Sequence, residues 1–410
     1  MTIFYNLGVH GMSWLFSLLS PFHAKAKKAV QGRKGLLRKI TLAFEGNTAP
    51  VIWMHCASVG EFEQGRPVLE KIRNEYPQYK VVLTFFSPSG YELRKNYSGA
   101  DHVWYLPWDT HHNAHQFVDA LNPSLAIFVK YEFWFHYSDA LWTRKIPLIS
   151  ISSIFRPDQA FFKSYGKLYR KILMRFSYFF VQNDESVKLL KSIGIQNCSI
   201  AGDTRFDRVK AIVDKREPVP IAASFKDNEK LLVVGSCWPE DLEVLLPLIN
   251  EQRIKVIIAP HEISEGFLEQ IERSLTVKSI RYSKAEGTDV GDYSVLIIDN
   301  VGLLSRLYQY GEFAYVGGAF GKGLHNVLEA ACYGIPVFFG NRNYARFQEA
   351  RDLINLGGAF EVGNYTELRA KYEMLNHPEN FMLAAEVTRQ YIEHNLGATE
   401  RIMDYCRKIL

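Results

Sequence analysis

Apolar positions along the chain fall into two blocks of the same rhythm. Short β-branched or aromatic runs at Val51–Ala57, Lys80–Phe86, His102–Leu106, Ser124–Val129, Pro147–Ser152 and Phe179–Gln182 alternate with longer mixed polar-apolar stretches. That alternation predicts βαβ units and a parallel sheet. A polar stretch from Asp207 to Asn228, containing Pro218 and Pro220, interrupts the rhythm and predicts an interdomain linker. The pattern then restarts with Leu231–Gly235, Lys255–Ala259, Ser294–Ile298, Phe313–Val316 and Pro336–Phe339. The expected architecture is α/β: two doubly wound Rossmann-like domains with an interdomain cleft. Ligands of such sheets sit off the carboxyl ends of the strands, so the residues just after each run carry the chemical reading.

The start of the chain follows neither rhythm. Residues 1–22 hold no Asp, Glu, Lys or Arg, and Ile3 to Phe22 is mostly apolar. Seven cations follow with no acid among them: Lys25, Lys27, Lys28, Arg33, Lys34, Arg38 and Lys39. The whole chain of 410 residues has 48 basic and 44 acidic side chains. Without that run it is mildly acidic, which argues against a nucleic-acid partner. Twenty residues of helix would just cross a hydrocarbon layer of about 30 Å. Asn6, His10, Ser13, Ser17 and two glycines make this a poor span, and cations after the apolar stretch are the reverse of a secretory signal. The expected organisation is a membrane-associated segment at 1–22, an α/β domain at 23–210 and a second at 211–410, the last helix free to pack back on the first domain. Cations beyond the apolar segment place the remainder on the cytoplasmic side. An ordinary first helix packed on its own domain is the plainer alternative. Five scattered cysteines, none within 38 residues of another, fit no disulfide framework or zinc spacing and point to a reducing compartment.

Three constellations stand at strand ends. Ser58-Val59-Gly60-Glu61 follows the first run and opens a helix expected to reach about Glu75. Gly60 permits a tight turn there. Glu61 in the first turn is a candidate general base, held ionised by the helix N-terminus, or simply an acid complementing the dipole. Lys130-Tyr131-Glu132-Phe133-Trp134 ends the fourth run, where Glu132 beside aromatic rings could bind sugar hydroxyls or pair with Lys130. Val316-Gly317-Gly318 through His325-Asn326-Val327-Leu328-Glu329 places glycines before a helix expected to begin near His325 or Asn326. Backbone N–H groups at such a start suit phosphate, and Glu329 could reach a ribose diol. The spacing fits neither GxGxxG nor a P-loop. Ser236 with Cys237 and Trp238, and Pro260 with His261, follow strands of the second half. Arg156 and Arg205 could present guanidinium forks to carboxylates or phosphates. His111, His112 and His115 look metal-like but follow Asp109 as a helix N-cap, with no carboxylate at ligand spacing, so no metal is assigned.

Together these stretches resemble the Kdo transferases (3-deoxy-D-manno-octulosonic acid transferases). The resemblance is carried by His55-Cys56-Ala57-Ser58-Val59-Gly60-Glu61, Ser87-Pro88-Ser89-Gly90, Glu132-Phe133-Trp134, and Val316-Gly317-Gly318 through Glu329. It implies a GT-B fold, an N-terminal membrane anchor and an inverting glycosyltransferase. Such an enzyme moves Kdo from a CMP-Kdo donor to a lipid A precursor at the cytoplasmic face of the inner membrane, using no cofactor. Glu61 then falls at the catalytic base. Ser58, Gly60, Glu132 and Arg156 fall on the acceptor side. Arg205, Ser236, Pro260, His261, Gly317, Gly318, His325, Asn326 and Glu329 fall on the donor side. The chain departs from the common family pattern at Phe133, Cys237 and Arg205, where Leu, Thr and Lys are frequent. Another GT-B glycosyltransferase or an epimerase using a UDP-sugar is the enzymatic alternative. A membrane-docked sugar- or lipid-binding protein is the non-enzymatic one.

Overall fold

The computed structural model describes residues 2–410, in two compact units. One runs to Arg208 and regains the chain at Leu396–Leu410; the other is Val209–Asn395.

The first unit is built on seven parallel strands: β1 (Val51–Cys56), β2 (Lys80–Phe85), β3 (His102–Tyr105), β4 (Leu125–Val129), β5 (Leu148–Ser153), β6 (Tyr178–Val181) and β7 (Cys198–Ile200). Their order is β3-β2-β1-β4-β5-β6-β7, so the winding direction reverses between β1 and β4. Alternate residues of β1 supply both faces. Val51 and Trp53 join one apolar cluster; Ile52, Met54 and Cys56 join the other. The helix Val59–Glu75 lies on the second face because Gly65 has no side chain: a Cβ there would come within 2.7 Å of Met54 Sδ. Ile402, Met403 and Cys406 of the last helix, Ala398–Ile409, join that same face. Asp207 holds the start of this helix by accepting from the N–H groups of Gly397 (2.7 Å) and Thr399 (2.6 Å).

The second unit repeats the plan with β8 (Leu231–Cys237), β9 (Lys255–Pro260), β10 (Ser279–Arg281), β11 (Val295–Ile297), β12 (Phe313–Val316), β13 (Val337–Gly340) and β14 (Ala359–Val362). Their order is β10-β11-β9-β8-β12-β13-β14, with the reversal between β8 and β12.

The stretch read as a linker is largely helical. Thr204–Lys215 and Pro220–Lys226 are both helices, Pro220 standing at the first turn where its missing N–H costs nothing.

At the amino end, the helices Thr2–Leu19, Ala24–Arg33 and Leu36–Phe44 belong to the first unit. No helix among the described residues is long and apolar enough to cross a membrane. The first helix packs inward through both apolar and polar groups: Val9 is buried and the Phe16 ring meets Trp108 at 5.4 Å, while other apolar side chains point outward. Tyr5 donates to Asp109 and accepts from the N–H of Phe135 (3.2 Å), and Asn6 Oδ1 lies 2.6 Å from His136 Nε2. Of the outward ones, Phe4 and Trp14 are 78% and 70% exposed. Six of the seven following cations are exposed, and Arg33 is not one of them. Its guanidinium packs over Phe86, Tyr105 and Trp108 and donates to the carbonyls of Leu106 and Phe86, both at 2.7 Å. Burial lowers its pKa to about 10. It fastens the helix to the sheet rather than adding to the surface patch.

Candidate active site

In the first unit the site forms where β1 and β4 diverge. Ser58 is the N-cap of Val59–Glu75, and Glu61 is the third residue of that helix. Glu61 Oε2 accepts from the backbone N–H of Ala57 and of Ser58 (3.2 Å), which fixes the carboxylate beside the end of β1. The helix start alone would hold it ionised. Burial and the neighbouring Glu132 carboxylate oppose this and outweigh the two N–H groups and Lys130, so the Glu61 pKa is raised to about 7. Gly60 is exposed and its φ lies outside the left-handed region; a Cβ there would find only Ser58 Oγ, 4.0 Å away. The turn therefore does not require glycine. What Gly60 contributes is an uncovered surface next to Glu61.

Glu132, buried in the loop after β4, accepts from Trp134 Nε1 at 2.7 Å and lies 2.9 Å from His55 Nε2. His55 is fully buried on β1, its Nδ1 2.9 Å from Thr84 Oγ1, which also accepts from Trp53 Nε1 at 2.8 Å. His55 Nδ1 also lies 3.1 Å from the Thr84 carbonyl oxygen, and Trp134 Nε1 lies 3.2 Å from His55 Nε2, so both ring nitrogens are held on two sides. Strand register puts His55 and Thr84 side by side on β1 and β2, so two-residue periodicity sets up the relay. Lys130, which ends this turn, holds a left-handed φ of 62°, an uncommon state for a residue with a side chain. Arg156 is exposed after β5, its guanidinium 5.9 Å from the ring centre of Tyr131. Burial raises the Tyr131 hydroxyl, Arg156 opposes this and Glu61 adds to it, so Arg156, Tyr131 and Glu61 share one neighbourhood. Arg205 also lies in the first unit, paired with the buried Asp203 at 2.7 Å.

In the second unit the glycine turn follows β12. A Cβ on Gly317 would meet Ser236 O at 2.3 Å and Asp241 Oδ2 at 2.5 Å. Gly318 has φ +96° and its N–H donates to Asp241 Oδ2 at 2.9 Å. Asp241 is fully buried and also accepts from Tyr315 Oη (3.0 Å) and the Trp238 N–H (3.0 Å), so it anchors both strand-end turns at once. Ser236, with φ 52°, sits at the irregularity in β8 where its register with β9 shifts. Pro260 closes β9, and His261 after it stacks on Trp238 (4.6 Å) and on His325 (4.2 Å). His325 Nε2 accepts from Trp238 Nε1 at 3.0 Å, which assigns its proton to Nδ1. Burial, then His261, lowers the His325 pKa to about 4, so the ring is neutral near pH 7. Lys322 Nζ stands 4.1 Å over the Trp238 ring.

The helix expected from His325 or Asn326 begins later and is shorter, Leu328–Ala331. Asn326 instead bridges the turn: it donates to Glu329 Oε1 at 3.1 Å and accepts from the Leu328 N–H at 3.3 Å. One turn of helix carries too little dipole for the anion argument. The glycine N–H groups are already donated, to Gly235 O from Gly317, to Asp241 from Gly318 and to Gly318 O from Gly321 and Gly323. This leaves Lys322 and the neutral His325 ring as the polar groups of this turn. The structure thus groups Ser58, Gly60, Glu61, Glu132 and Arg156 in one unit, and Ser236, Pro260, His261, Gly317, Gly318, His325, Asn326 and Glu329 in the other. His55 and Asp241 were not singled out from sequence. Asp109, expected as an N-cap for the following histidines, leaves that role to Thr110 and accepts from the N–H groups of His136 and Tyr137, capping the helix Phe135–Thr143.

Residues 28–208 match the family model described as 3-deoxy-D-manno-octulosonic-acid transferase (kdotransferase). A 3-deoxy-D-manno-octulosonic acid transferase of Aquifex aeolicus is 28% identical over 354 residues, 84% of this chain and 91% of the relative. One from Chlamydophila psittaci is 26% identical over 346 residues, 81% and 79% of the two chains. Among solved structures, the UDP-GlcNAc 2-epimerase of Neisseria meningitidis, bound to UDP-GlcNAc, superposes with a TM-score of 0.63 at 16% identity. It covers 87% of this chain and 100% of its own, a likeness of fold.

Proposed function

We propose that the chain is a 3-deoxy-D-manno-octulosonic acid transferase, like the proteins it resembles, and that it moves Kdo from CMP-Kdo to a lipid A precursor, inverting the anomeric carbon. The observation that carries the reading is Glu61: a half-buried carboxyl at the end of a central strand, poised near pH 7 beside a second carboxylate. A base with that pKa is largely ionised at cytoplasmic pH yet still basic enough to take a hydroxyl proton.

In this scheme an acceptor hydroxyl attacks the anomeric carbon of Kdo while its proton passes to Glu61. The bond from that carbon to the CMP phosphate oxygen breaks, and its electron pair leaves with CMP. Glu132, fixed by His55 and Trp134, orients the acceptor sugar, with Ser58 and Arg156 on its polar groups and Gly60 leaving room for its approach. The second unit holds the donor. The His325 Nδ1–H and Lys322 face the phosphate, Gly317 and Gly318 leave room for its approach, Ser236, Pro260 and His261 line the nucleotide, and Asn326 with Glu329 take the ribose diol. A monophosphate leaving group carries modest charge, so this dipole and cation suffice without a metal or organic cofactor.

The acceptor is a membrane lipid, and the amino end suits one. A helix that is anchored on its domain and still presents Phe4, Leu7, Trp14 and Leu18 outward, followed by six exposed cations, matches an interfacial helix on anionic lipid. We place it on the cytoplasmic face of the inner membrane, lying at the interface rather than spanning. The test is a purified transfer reaction from CMP-Kdo to tetraacylated precursor, read by mass spectrometry. Wild type is expected to give product. Glu61→Gln should give none while calorimetry still shows CMP binding, preferred over UDP. Turnover by Glu61→Gln close to wild type, or preference for UDP, would overturn the reading.

A further inference from the structure

We infer that a groove beside the first helix seats one fatty acyl chain of the acceptor, an inference that rests on the acceptor reading above. The groove encloses about 500 Å³ and is walled by Phe4, Val9, Met12, Trp134, Leu168 and Tyr169. That volume is within the range of small-molecule sites. No Asp, Glu, Lys, Arg or His lines it, and the Tyr5 hydroxyl at its edge is already committed to Asp109 and the Phe135 N–H. Apart from the Tyr169 hydroxyl the lining side chains offer an occupant no free hydrogen-bonding group, so its buried part is apolar.

Three observations select an acyl chain over other apolar matter. One wall is the indole of Trp134, whose Nε1–H binds Glu132 at 2.7 Å. A chain in the groove therefore has its polar end one ring away from the carboxylate assigned to the acceptor sugar. The groove also opens onto the outward apolar side of the first helix: Phe4, which walls it, is 78% exposed, and Leu7 beside it is 63% exposed. Apolar surface is thus continuous from the groove to the face assigned to the membrane. Finally, the exposed Lys25, Lys27, Lys28, Lys34, Arg38 and Lys39 follow directly, a charge complement for an anionic amphiphile. Gly8 fits the same purpose. A Cβ at Gly8 would meet no atom within 4 Å, so packing does not demand a glycine there, although glycine weakens a helix. Its missing side chain keeps the groove open.

The test fills the groove. Gly8→Trp, with Gly8→Leu as a gentler variant, replaces glycine by better helix formers and leaves every residue of the transfer site in place. Calorimetry of the full chain with dodecyl phosphate below its micellar concentration reads the groove without any transfer reaction. Wild type should bind it saturably, Gly8→Trp at least tenfold more weakly and Gly8→Leu in between. Transfer assays should show KM for the tetraacylated acceptor raised at least tenfold in Gly8→Trp, kcat within twofold, and kcat/KM for its fully deacylated backbone unchanged. Equal dodecyl phosphate affinity in wild type and Gly8→Trp would overturn the inference. So would equal losses on acylated and deacylated acceptors. Selective loss of dodecyl phosphate binding in a chain that transfers no sugar would leave the groove standing and sink the transferase reading instead.

Discussion

The two units share a winding plan and use it for opposite ends. After the strand at each reversal, a helix starts at once, and its third residue is an acid: Glu61 after β1 and Asp241 after β8. Asp241 is fully buried, and both of its oxygens accept bonds, from Tyr315, Trp238 and Gly318. Glu61 is only half buried, and its two backbone bonds both fall on Oε2. The same position on the same motif is a structural tie in one unit and a titrating group in the other. What separates them is the loop after the neighbouring strand. Beside Asp241 that loop brings glycine N–H donors; beside Glu61 it brings a second carboxylate, Glu132. Burial raises both carboxyls; at Asp241 three donors oppose it, while at Glu61 the Glu132 charge adds to it.

Substitutions at the paired positions should separate these roles sharply. Glu61→Gln is expected to lower kcat by about a hundredfold to ten-thousandfold, the usual scale for a lost general base. Its effect on stability has the opposite sign. A carboxyl whose folded pKa is raised binds its proton more tightly in the native state, so stability falls as pH rises from the ordinary carboxylate range through about 7. At pH 8 that cost is removed by Gln, and calorimetric melting should show Glu61→Gln at least as stable as wild type, by up to about 3 kcal/mol. Asp241→Ala should do the reverse. It strands three donors and should destabilise by about 2–4 kcal/mol in denaturant titrations, with CMP affinity lost alongside. If Asp241→Ala were neutral and Glu61→Gln destabilising, the contrast would be wrong.

Smaller effects sharpen it further. Gly317→Ala places a methyl group against Ser236 O and Asp241, and should cost about 1–3 kcal/mol of stability and weaken CMP binding. The corresponding Gly60→Ala meets open space and should leave stability within about 0.5 kcal/mol of wild type. The membrane contact is also modest: each of Lys25, Lys27 and Lys28 changed to Gln should weaken sedimentation with anionic vesicles by about 1 kcal/mol. Arg33→Gln should instead lower the melting temperature, because it removes a buried strap.

Much of this was legible in the pattern of apolar runs, and the gaps have causes. The strands not anticipated were β7, β10 and β14, all at sheet edges. An edge strand is short and partly open to water, as Ile200 at 47% exposure shows, so no strong apolar run marks it. The two helices inside the polar stretch after Asp207 were hidden by Pro218 and Pro220, which read as breakers although Pro220 sits at a permitted first turn. Glu61 was legible because it follows a strand at a helix start. His55 was not: it lies inside an apolar run, and only the register of β1 with β2, together with the loop after β4, sets it between Thr84 and Glu132. Asp241 was equally silent, since nothing local says that a glycine turn about 80 residues later in the chain will fold onto it.

The central claim is that Glu61 is a base strengthened by burial and then by the Glu132 charge, and the pH dependence of kcat/KM tests it most directly. Wild type should lose activity on the acid side with a midpoint near pH 7, and Glu132→Gln, by removing the like charge, should move that midpoint downward. A profile flat between pH 5 and 8, or an acid limb that stays where it is in Glu132→Gln, would contradict the account.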